Sequence, residues 1–393
     1  MEISHNNPFV LITDITAKHR KTDKLPIQAW PLAIKDVIDI AGFPTAAGNP
    51  TWLHTHSVPQ TTASIVTKLV DAGAKIVGKT ITDELTYSLD GQNIHYPPLT
   101  NSRDCKRICG GSSSGSAIAV ATGKARIGLG TDTGGSVRVP ASYNGLVGFR
   151  PTHGVIDNQG VVALAPQFDT LGWITRTITD TLTVAEVIFD ETFDTPLEHP
   201  FVLSTMLSIC EQPDEIEQTL KQVLSAPLTI NSSITKSLLL ESAEAFRVLQ
   251  GREVWQTHGP WITQHQPTFA KDIEARFVWA SKLTLAQEKQ AKQVQLKLQR
   301  LIESMFVDGH YLLFPTTPGP APWSSFTTKE ASDYRELLMA FTCISGLTGT
   351  PQVQLPLYAK TNAPTGVSLL GPKGSDLSLI RQAKFLMERY HEI

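Results

Sequence analysis

The sequence predicts an α/β protein built around one sheet. Residues from about 28 to 185 are rich in Gly, Ala, Ser and short β-branched runs. That texture is typical of buried strands that alternate with closely packed helices. Strand-like runs return near the end of the chain, in YLLFPTT and GVSLLGP, so we expect both halves to join the same sheet. Because no repeat or low-complexity linker divides the chain, we expect a single domain over residues 1–393.

Two α/β steps are visible in the first half of the chain. A helix is expected from Thr62 to Ala72, where apolar residues share one face, followed by a strand from Lys75 to Lys79. A small-residue helix from Ser116 to Thr122 leads into a strand from Ala125 to Gly130. That second strand ends in the Gly-rich turn TDTGGS, and such turns are where α/β proteins place their chemistry.

The middle of the chain, from about 186 to 310, has the texture of ordinary helices. The clearest runs from about Leu283 to Met305, with apolar residues at helical spacing. The last part, about 311–393, returns to strands and closes with a helix from Asp376 to about Tyr390 that Ser375 is expected to cap. The aromatic residues of the middle part could line a pocket but are expected more often in the core: Trp255, Trp261, Phe277 and Trp279.

Composition excludes several classes of partner. The formal net charge is −3, and neither Lys/Arg nor Asp/Glu forms a long block, so the basic surface needed for nucleic acid is missing. The N-terminus lacks a signal-peptide pattern, and no apolar run reaches the roughly 18 residues that span a bilayer, so we expect a cytoplasmic protein. The four scattered cysteines are expected to be reduced structural thiols, with no metal bound.

Two Gly- and Ser-rich clusters, CGGSSSGSAIAVATG and GLGTDTGGSVRVPASYNG, are the most unusual segments. A phosphate-binding loop is disfavoured, because neither cluster matches the P-loop or dinucleotide pattern. Residues Gly111–Gly115 fit the G-x-S-x-G nucleophile elbow, but no strongly β-branched strand precedes them. A third interpretation joins both clusters to Lys35, which lies in the apolar segment PLAIKDVIDI.

Taken together, these three segments resemble the amidase signature family. The similarity continues through VGKTITDEL, GFRPTHG, LLFPTTPGPAP and GTPQVQLPL, and so covers nearly the whole chain. It implies a central mixed, twisted sheet covered by helices on both faces. The segments GNPTWLHTHS and IHYPPLTNSRD are most similar to plant-type indole-3-acetamide amidases and their bacterial relatives.

The resemblance implies roles for individual residues. Ser136 corresponds to the nucleophile, Ser112 to a bridging serine preceded by a cis peptide bond, and Lys35 to the general base. The backbone N–H groups implied for the oxyanion hole are those of Thr133, Gly134, Gly135 and Ser136. The residues implied to support the active-site loops are Gly111, Ser113, Asp132 and Arg138. The loop implied to contact substrate contains Ile108 and Cys109.

A lysine can deprotonate a serine only if the amine is neutral, so its pKa must be lowered. Burial among the apolar neighbours of Lys35 would lower it. Asp36 and Asp39 would oppose that shift if they faced the amine, and we therefore expect them to point elsewhere.

The function implied is hydrolysis of a small carboxamide, aryl or indole-acetic in type, to a carboxylate and ammonia through an acyl-serine intermediate. No cofactor is expected, the partner is the small-molecule amide, and a homodimer is left open. One alternative is a catalytically silent amidase-like binding module, which the intact triad disfavours. Another is an amidase for urea-like or carboxylated amides, which a basic residue at the acyl pocket would favour.

Overall fold

The computed structural model describes residues 6–15, 25–189, 196–307, 309–358 and 363–392. In these ranges the chain forms a single sheet of eleven strands. The strands are β1 (Phe9–Ile15), β2 (Pro31–Lys35), β3 (Lys75–Thr80), β4 (Ile127–Asp132), β5 (Val147–Arg150), β6 (Thr170–Thr175), β7 (His199–Leu203), β8 (Ile230–Asn231), β9 (His310–Pro315), β10 (Gln352–Tyr358) and β11 (Thr365–Leu370).

The sheet is mixed, with the order β1-β3-β2-β4-β6-β5-β10-β11-β9-β7-β8. Strands β3, β2 and β4 are parallel to one another, and the strands from β4 through β9 pair antiparallel. The two parts of the chain meet where β5 pairs with β10. The prediction that both halves contribute to one sheet is therefore confirmed.

Twelve α-helices accompany the sheet within the described residues. They are α1 (Pro50–Thr55), α2 (Ser64–Asp71), α3 (Ser114–Ala121), α4 (Arg138–Tyr143), α5 (Ile178–Ile188), α6 (Ser204–Ile209), α7 (Pro213–Leu224), α8 (Lys236–His265), α9 (Lys271–Ser281), α10 (Leu285–Met305), α11 (Thr328–Thr348) and α12 (Asp376–Glu392). None of these helices is long and apolar enough to cross a bilayer.

Alternate residues of β2 show that both faces of the sheet are covered. Leu32 and Ile34 belong to the large core cluster, whereas Ala33 between them packs with Ala117 and Val120 of α3 in a second cluster. Side chains of a strand point to opposite faces in turn, so the two clusters lie on opposite sides of the sheet. The small residues of α3 let that helix lie close to the strands that carry the site.

The predicted elements of the first half are present with ends shifted by one to two residues, as α2, β3, α3 and β4. The predicted long helix is α10, which begins after a capping box formed by Thr284 and Gln287. The C-terminal helix is α12, and Ser375 precedes its first residue.

The middle of the chain differs from the prediction of helices alone, because it also contains β7 and β8. Strand β7 pairs in parallel with β9, and β8 extends the sheet by two residues. Strand β8 is too short to show an alternating pattern, and β9, the strand with which β7 pairs, comes from much later in the chain. The aromatic residues of this part pack on the core, with Phe277 buried and Trp255, Trp261 and Trp279 partly buried.

Candidate active site

Lys35 is the last residue of β2, an inner strand of the sheet, and its side chain is fully buried. Strand β2 lies between β3 and β4, so the amine reaches the ends of two neighbouring strands. Its Nζ donates to Ser112 Oγ at 2.7 Å and to Thr131 Oγ1 at 2.8 Å. The fold thus joins a lysine and a serine that lie 77 residues apart in sequence.

Burial lowers the pKa of Lys35 to about 7, although the carboxylates of Asp83, Asp132 and Asp169 raise it. Near neutral pH a large fraction of the amine is therefore uncharged and able to accept a proton. Asp36 and Asp39 point elsewhere, as predicted from the sequence. The Asp36 carboxylate pairs with Lys79 at 2.8 Å, and Asp39 accepts the hydroxyl of Thr45 at 2.7 Å.

Ser112 lies where α3 approaches the sheet, and the Gly111–Ser112 peptide bond is cis, as the resemblance implies. The Ser112 hydroxyl accepts the hydrogen bond from Lys35, and its carbonyl accepts one from Thr82 Oγ1 at 2.9 Å. The next residue, Ser113, donates its N–H to the carbonyl of Ser136 at 3.1 Å. This bond ties the bridging serine to the turn that carries the predicted nucleophile.

Ser136 lies in the turn between β4 and α4, and its side chain is only 4% exposed. In this turn Gly135 has φ 125°, a conformation that side-chain-bearing residues rarely adopt. The Gly135 N–H donates to Asp132 Oδ1 at 2.9 Å, so it is not free to meet an oxyanion. In the described ranges, no protein acceptor takes the N–H of Thr133, Gly134 or Ser136, and these three groups remain available.

Asp132 anchors the turn. Arg138 donates two hydrogen bonds to its carboxylate, at 3.0 and 2.7 Å, and Arg150 donates a third at 3.1 Å. Burial alone would raise the pKa of this carboxyl, but the charges of both arginines and the N–H of Val137 hold it below its usual value. All three side chains are fully buried, so they form one ionic unit beneath the turn.

We expect Asp132→Asn to lower the free energy of unfolding by about 3 to 5 kcal/mol, because it leaves two buried guanidinium groups without a counter-charge. Urea unfolding followed by circular dichroism measures this loss. Asp333→Asn, an exposed change on α11, is the control and should have little effect. Equal stability of the two variants would show that the ionic unit does not hold the turn.

Four residues near the triad were not singled out from the sequence. Thr131 binds the lysine amine, Arg150 binds Asp132, and Asp169 accepts the Thr133 hydroxyl at 2.6 Å. Asp83, the fourth, lies against Gly111. Thr131 and Arg150 stand in segments that were recognised as family blocks, whereas Asp169 stands outside them. Only the fold brings these side chains to the site.

The wall that faces the nucleophile turn is apolar. A methyl group at Gly134 would lie 2.7 Å from Phe246 of α8 and 3.8 Å from Met339 Sδ of α11, so the turn passes close beneath both helices. Ile108 packs in an apolar cluster that also contains Leu89 and Met339. Ile108 of the predicted substrate loop thus packs in the same cluster as Met339, which also lies near Gly134.

Cys109 is buried, and its thiol donates to the carbonyl of Gly91 at 3.4 Å. Burial raises the pKa of this thiol, which leaves it protonated and unreactive at neutral pH. The side chain thus packs against the 88–91 loop. Within the described residues no cluster of three or more His, Cys, Asp or Glu side chains could hold a metal ion.

Comparison with known proteins gives consistent matches. The family model described as Amidase matches residues 12–223. Amidase 1 of Arabidopsis thaliana is 32% identical, over 95% of this chain and 98% of that protein. The chloroplastic outer envelope protein 64 of the same plant is 30% identical, over 90% of this chain and 65% of that protein. A crystal structure of an amidase superposes with a TM-score of 0.81 at 28% identity, covering 93% of this chain and 85% of the other.

Proposed function

Because the chain belongs to the amidase family and is an amide hydrolase by that membership, we propose that it cleaves a small primary carboxamide through an acyl-Ser136 intermediate. The observation that carries the proposal is the 2.7 Å hydrogen bond between the buried amine of Lys35 and the hydroxyl of Ser112. A neutral lysine in this position can accept the proton of the Ser112 hydroxyl. The family match and the relatives named as amidases support amide hydrolysis, and the identity of the amide is our own proposal.

In the first half of the reaction, Ser136 Oγ attacks the amide carbon while its proton passes to Ser112, whose own proton passes to Lys35. The carbonyl oxygen becomes an oxyanion, for which the proposed donors are the N–H groups of Thr133, Gly134 and Ser136, since none of them donates to a protein acceptor in the described residues. Such donors are typically worth about 3 to 4 kcal/mol each in the transition state. Gly135 has a different role, since its N–H holds the turn against Asp132.

In the second half, the proton on Lys35 returns through Ser112 to the amide nitrogen, the C–N bond breaks, and ammonia leaves. The acyl group stays on Ser136 as an ester. Water then attacks this ester, losing its proton to the same relay, and the carboxylate product leaves as Ser136 regains a proton. Every proton in the cycle moves between these three side chains, the substrate and water.

We expect kcat/KM to rise with pH through a limb near pH 7. Lys35 must be neutral to act as a base, and burial lowers its pKa to about 7, so activity is lost as the pH falls below that value. Initial rates of ammonia release between pH 5.5 and 9.5 give this profile. A kcat/KM that stays constant across this pH range would show that Lys35 is not the base.

We propose that the acyl group is apolar, of the aryl or indole-acetic type. The wall near the nucleophile turn contains Phe246 and Met339. Arg276 of α9 and Arg335 of α11 already pair with Asp90, and Arg276 also pairs with Asp272 at 2.8 Å. Because their charges are neutralised within the protein, a carboxylated acyl group has less support than an apolar one.

The test is ammonia release from a panel containing indole-3-acetamide, benzamide, a short aliphatic amide and malonamate. We expect the aryl amides to be the better substrates. Met339→Ala should lower their kcat/KM about tenfold while changing that of the aliphatic amide less, because the variant removes buried apolar contact. Leu296→Ala, an exposed change on α10, is the control. A preference for malonamate would favour the carboxylated-amide alternative, and no release from any amide would favour a binding module.

A cytoplasmic location and a homodimer remain predictions. One matched relative is named as a chloroplast outer envelope protein, so the compartment has to be measured rather than taken from the family. Fractionation of expressing cells and light scattering of the purified chain would test both.

A further inference from the structure

Asp83 contacts both residues of the peptide group that precedes the bridging hydroxyl. Its carboxylate lies against Gly111, where an added Cβ would be 2.5 and 2.6 Å from the two carboxylate oxygens. Its N–H points to the carbonyl of Ser112 at 3.4 Å, beside the bond from Thr82. The main chain and the side chain of Asp83 therefore both contact the Gly111–Ser112 segment.

The carboxylate itself has few partners. Oδ2 accepts the N–H of Gly91 at 3.0 Å, and Oδ1 is buried with no hydrogen-bond partner among the described residues. The turn that follows is unusual, because Leu85 and Thr86 have φ 45° and 60°, which β-branched residues in particular rarely adopt. Uncommon backbone conformations of this kind persist where the surrounding structure holds them, and they cluster at functional sites.

The charged side chains near the Asp83 carboxylate are already paired with other groups. Asp90 lies near it but is paired with Arg276 and Arg335, and the neighbouring Cys109 is a neutral thiol. The two other carboxylates whose charges act on Lys35 have several partners: Asp132 is paired with two arginines, and Asp169 accepts one hydroxyl and two backbone N–H groups. Asp83, by contrast, has one N–H donor and no ion-pair partner in the described part of the chain.

We propose that Asp83 is a positioning residue that holds the Gly111–Ser112 segment and controls, through its own charge, whether Lys35 is protonated. This inference rests on the proposed function, because it assigns Lys35 the part of the base. An ionised Asp83 stabilises the ammonium that forms when Lys35 takes the proton of Ser136. A protonated Asp83 favours the neutral amine that begins the cycle.

The electrostatics agree with this arrangement. Burial and the charge of Asp90 raise the pKa of Asp83 to about 7, against the N–H of Gly91, the charge of Lys35 and the hydroxyl of Ser88, which lower it. Burial lowers the pKa of Lys35 to the same region, with Asp83 the first of the carboxylates that oppose the shift. Two interacting groups that titrate together lose their protons in steps that belong to the pair.

Asp83→Asn removes the charge and keeps the shape. We expect the acidic limb of kcat/KM to move to lower pH by about one unit, because Lys35 loses the anion that favoured its ammonium form. KM should stay within about twofold of the wild-type value, since we assign Asp83 no contact with the substrate. Asp376→Asn is the matched control, being another buried carboxylate whose partner is Thr152, and it should leave the limb in place. A folded Asp83→Asn protein with lower activity and an unmoved limb would overturn the proposal.

A second measurement does not depend on activity or on the folding of that variant. The infrared band of protonated buried carboxylic acids is followed as the pH is raised, in the wild type and in Lys35→Met. We expect the band to persist to higher pH in Lys35→Met, because the cation that favours ionised Asp83 is gone. Identical titrations in the two proteins would overturn the proposal. If no amide is hydrolysed, the proposed function fails, whereas this titration still decides whether Asp83 and Lys35 share their protons.

Discussion

Ser136→Ala should abolish ammonia release, with kcat falling on the order of 10⁶-fold, since removal of a nucleophile eliminates the covalent route. The change removes one oxygen from a side chain in a turn that the Asp132 unit holds, so the melting temperature should stay close to that of the wild type. Ammonia release from the best amide of the panel measures the effect.

The matched control is Ser114→Ala. Ser114 belongs to the same serine cluster as Ser112, but its hydroxyl donates to the carbonyl of Ile81 at 3.5 Å, whereas the lysine amine donates to Ser112 and Thr131. We expect its activity to stay within a few-fold of the wild type. Comparable losses in both variants would indicate general damage to the loops, and activity that survives Ser136→Ala would mean that another group is the nucleophile.

Lys35→Met should lower kcat/KM by about 10² to 10⁴-fold, the usual contribution of a general base. Because burial lowers the pKa of Lys35 to about 7, the site already holds a neutral amine in much of the protein at that pH, so an uncharged side chain of similar length should fit there and folding should be retained. The remaining activity should also lose its limb near pH 7. The pH profile and a thermal melt measure these effects together.

Thr131→Val is the control for the lysine, because it removes the second hydrogen-bond partner of Nζ and leaves Ser112 in place. We expect kcat/KM to decrease about tenfold and its acidic limb to stay near pH 7, because the variant loses one hydrogen bond to a buried group. If Lys35→Met kept both the activity and the limb, the base would have to lie elsewhere.

The triad that we propose was inferred because two of its members, Ser112 and Ser136, stand in segments of unusual composition. Ser112 and Ser136 lie in two Gly-rich clusters, and the turn needs glycine at 135, whose φ is 125°. Lys35 lies in no such cluster, and it was predicted as the base only because its segment and the two clusters together resemble the family. The hydrogen bond between Lys35 and Ser112 depends on α3, which Ser112 precedes, packing against β2, and the sequence could suggest that contact only through the resemblance.

The parts that escaped prediction depend on contacts between distant segments. Arg150 appears in sequence as one strand-end arginine, and only the pairing of β5 with β6, which lies beside β4, brings it to Asp132. The N–H of Gly135 was included among the oxyanion donors, but the Asp132 carboxylate accepts it. Strand β8 has two residues, too few for any periodic signal.

The most direct test of the central claim is mass spectrometry of the intact protein, quenched in acid during turnover of an aryl primary amide and then mapped by peptides. The account predicts a mass increase equal to the acyl group, located on the peptide that carries Ser136 and absent from Ser136→Ala. An acyl group on any other residue, or an unmodified protein during a slow deacylation, would contradict it.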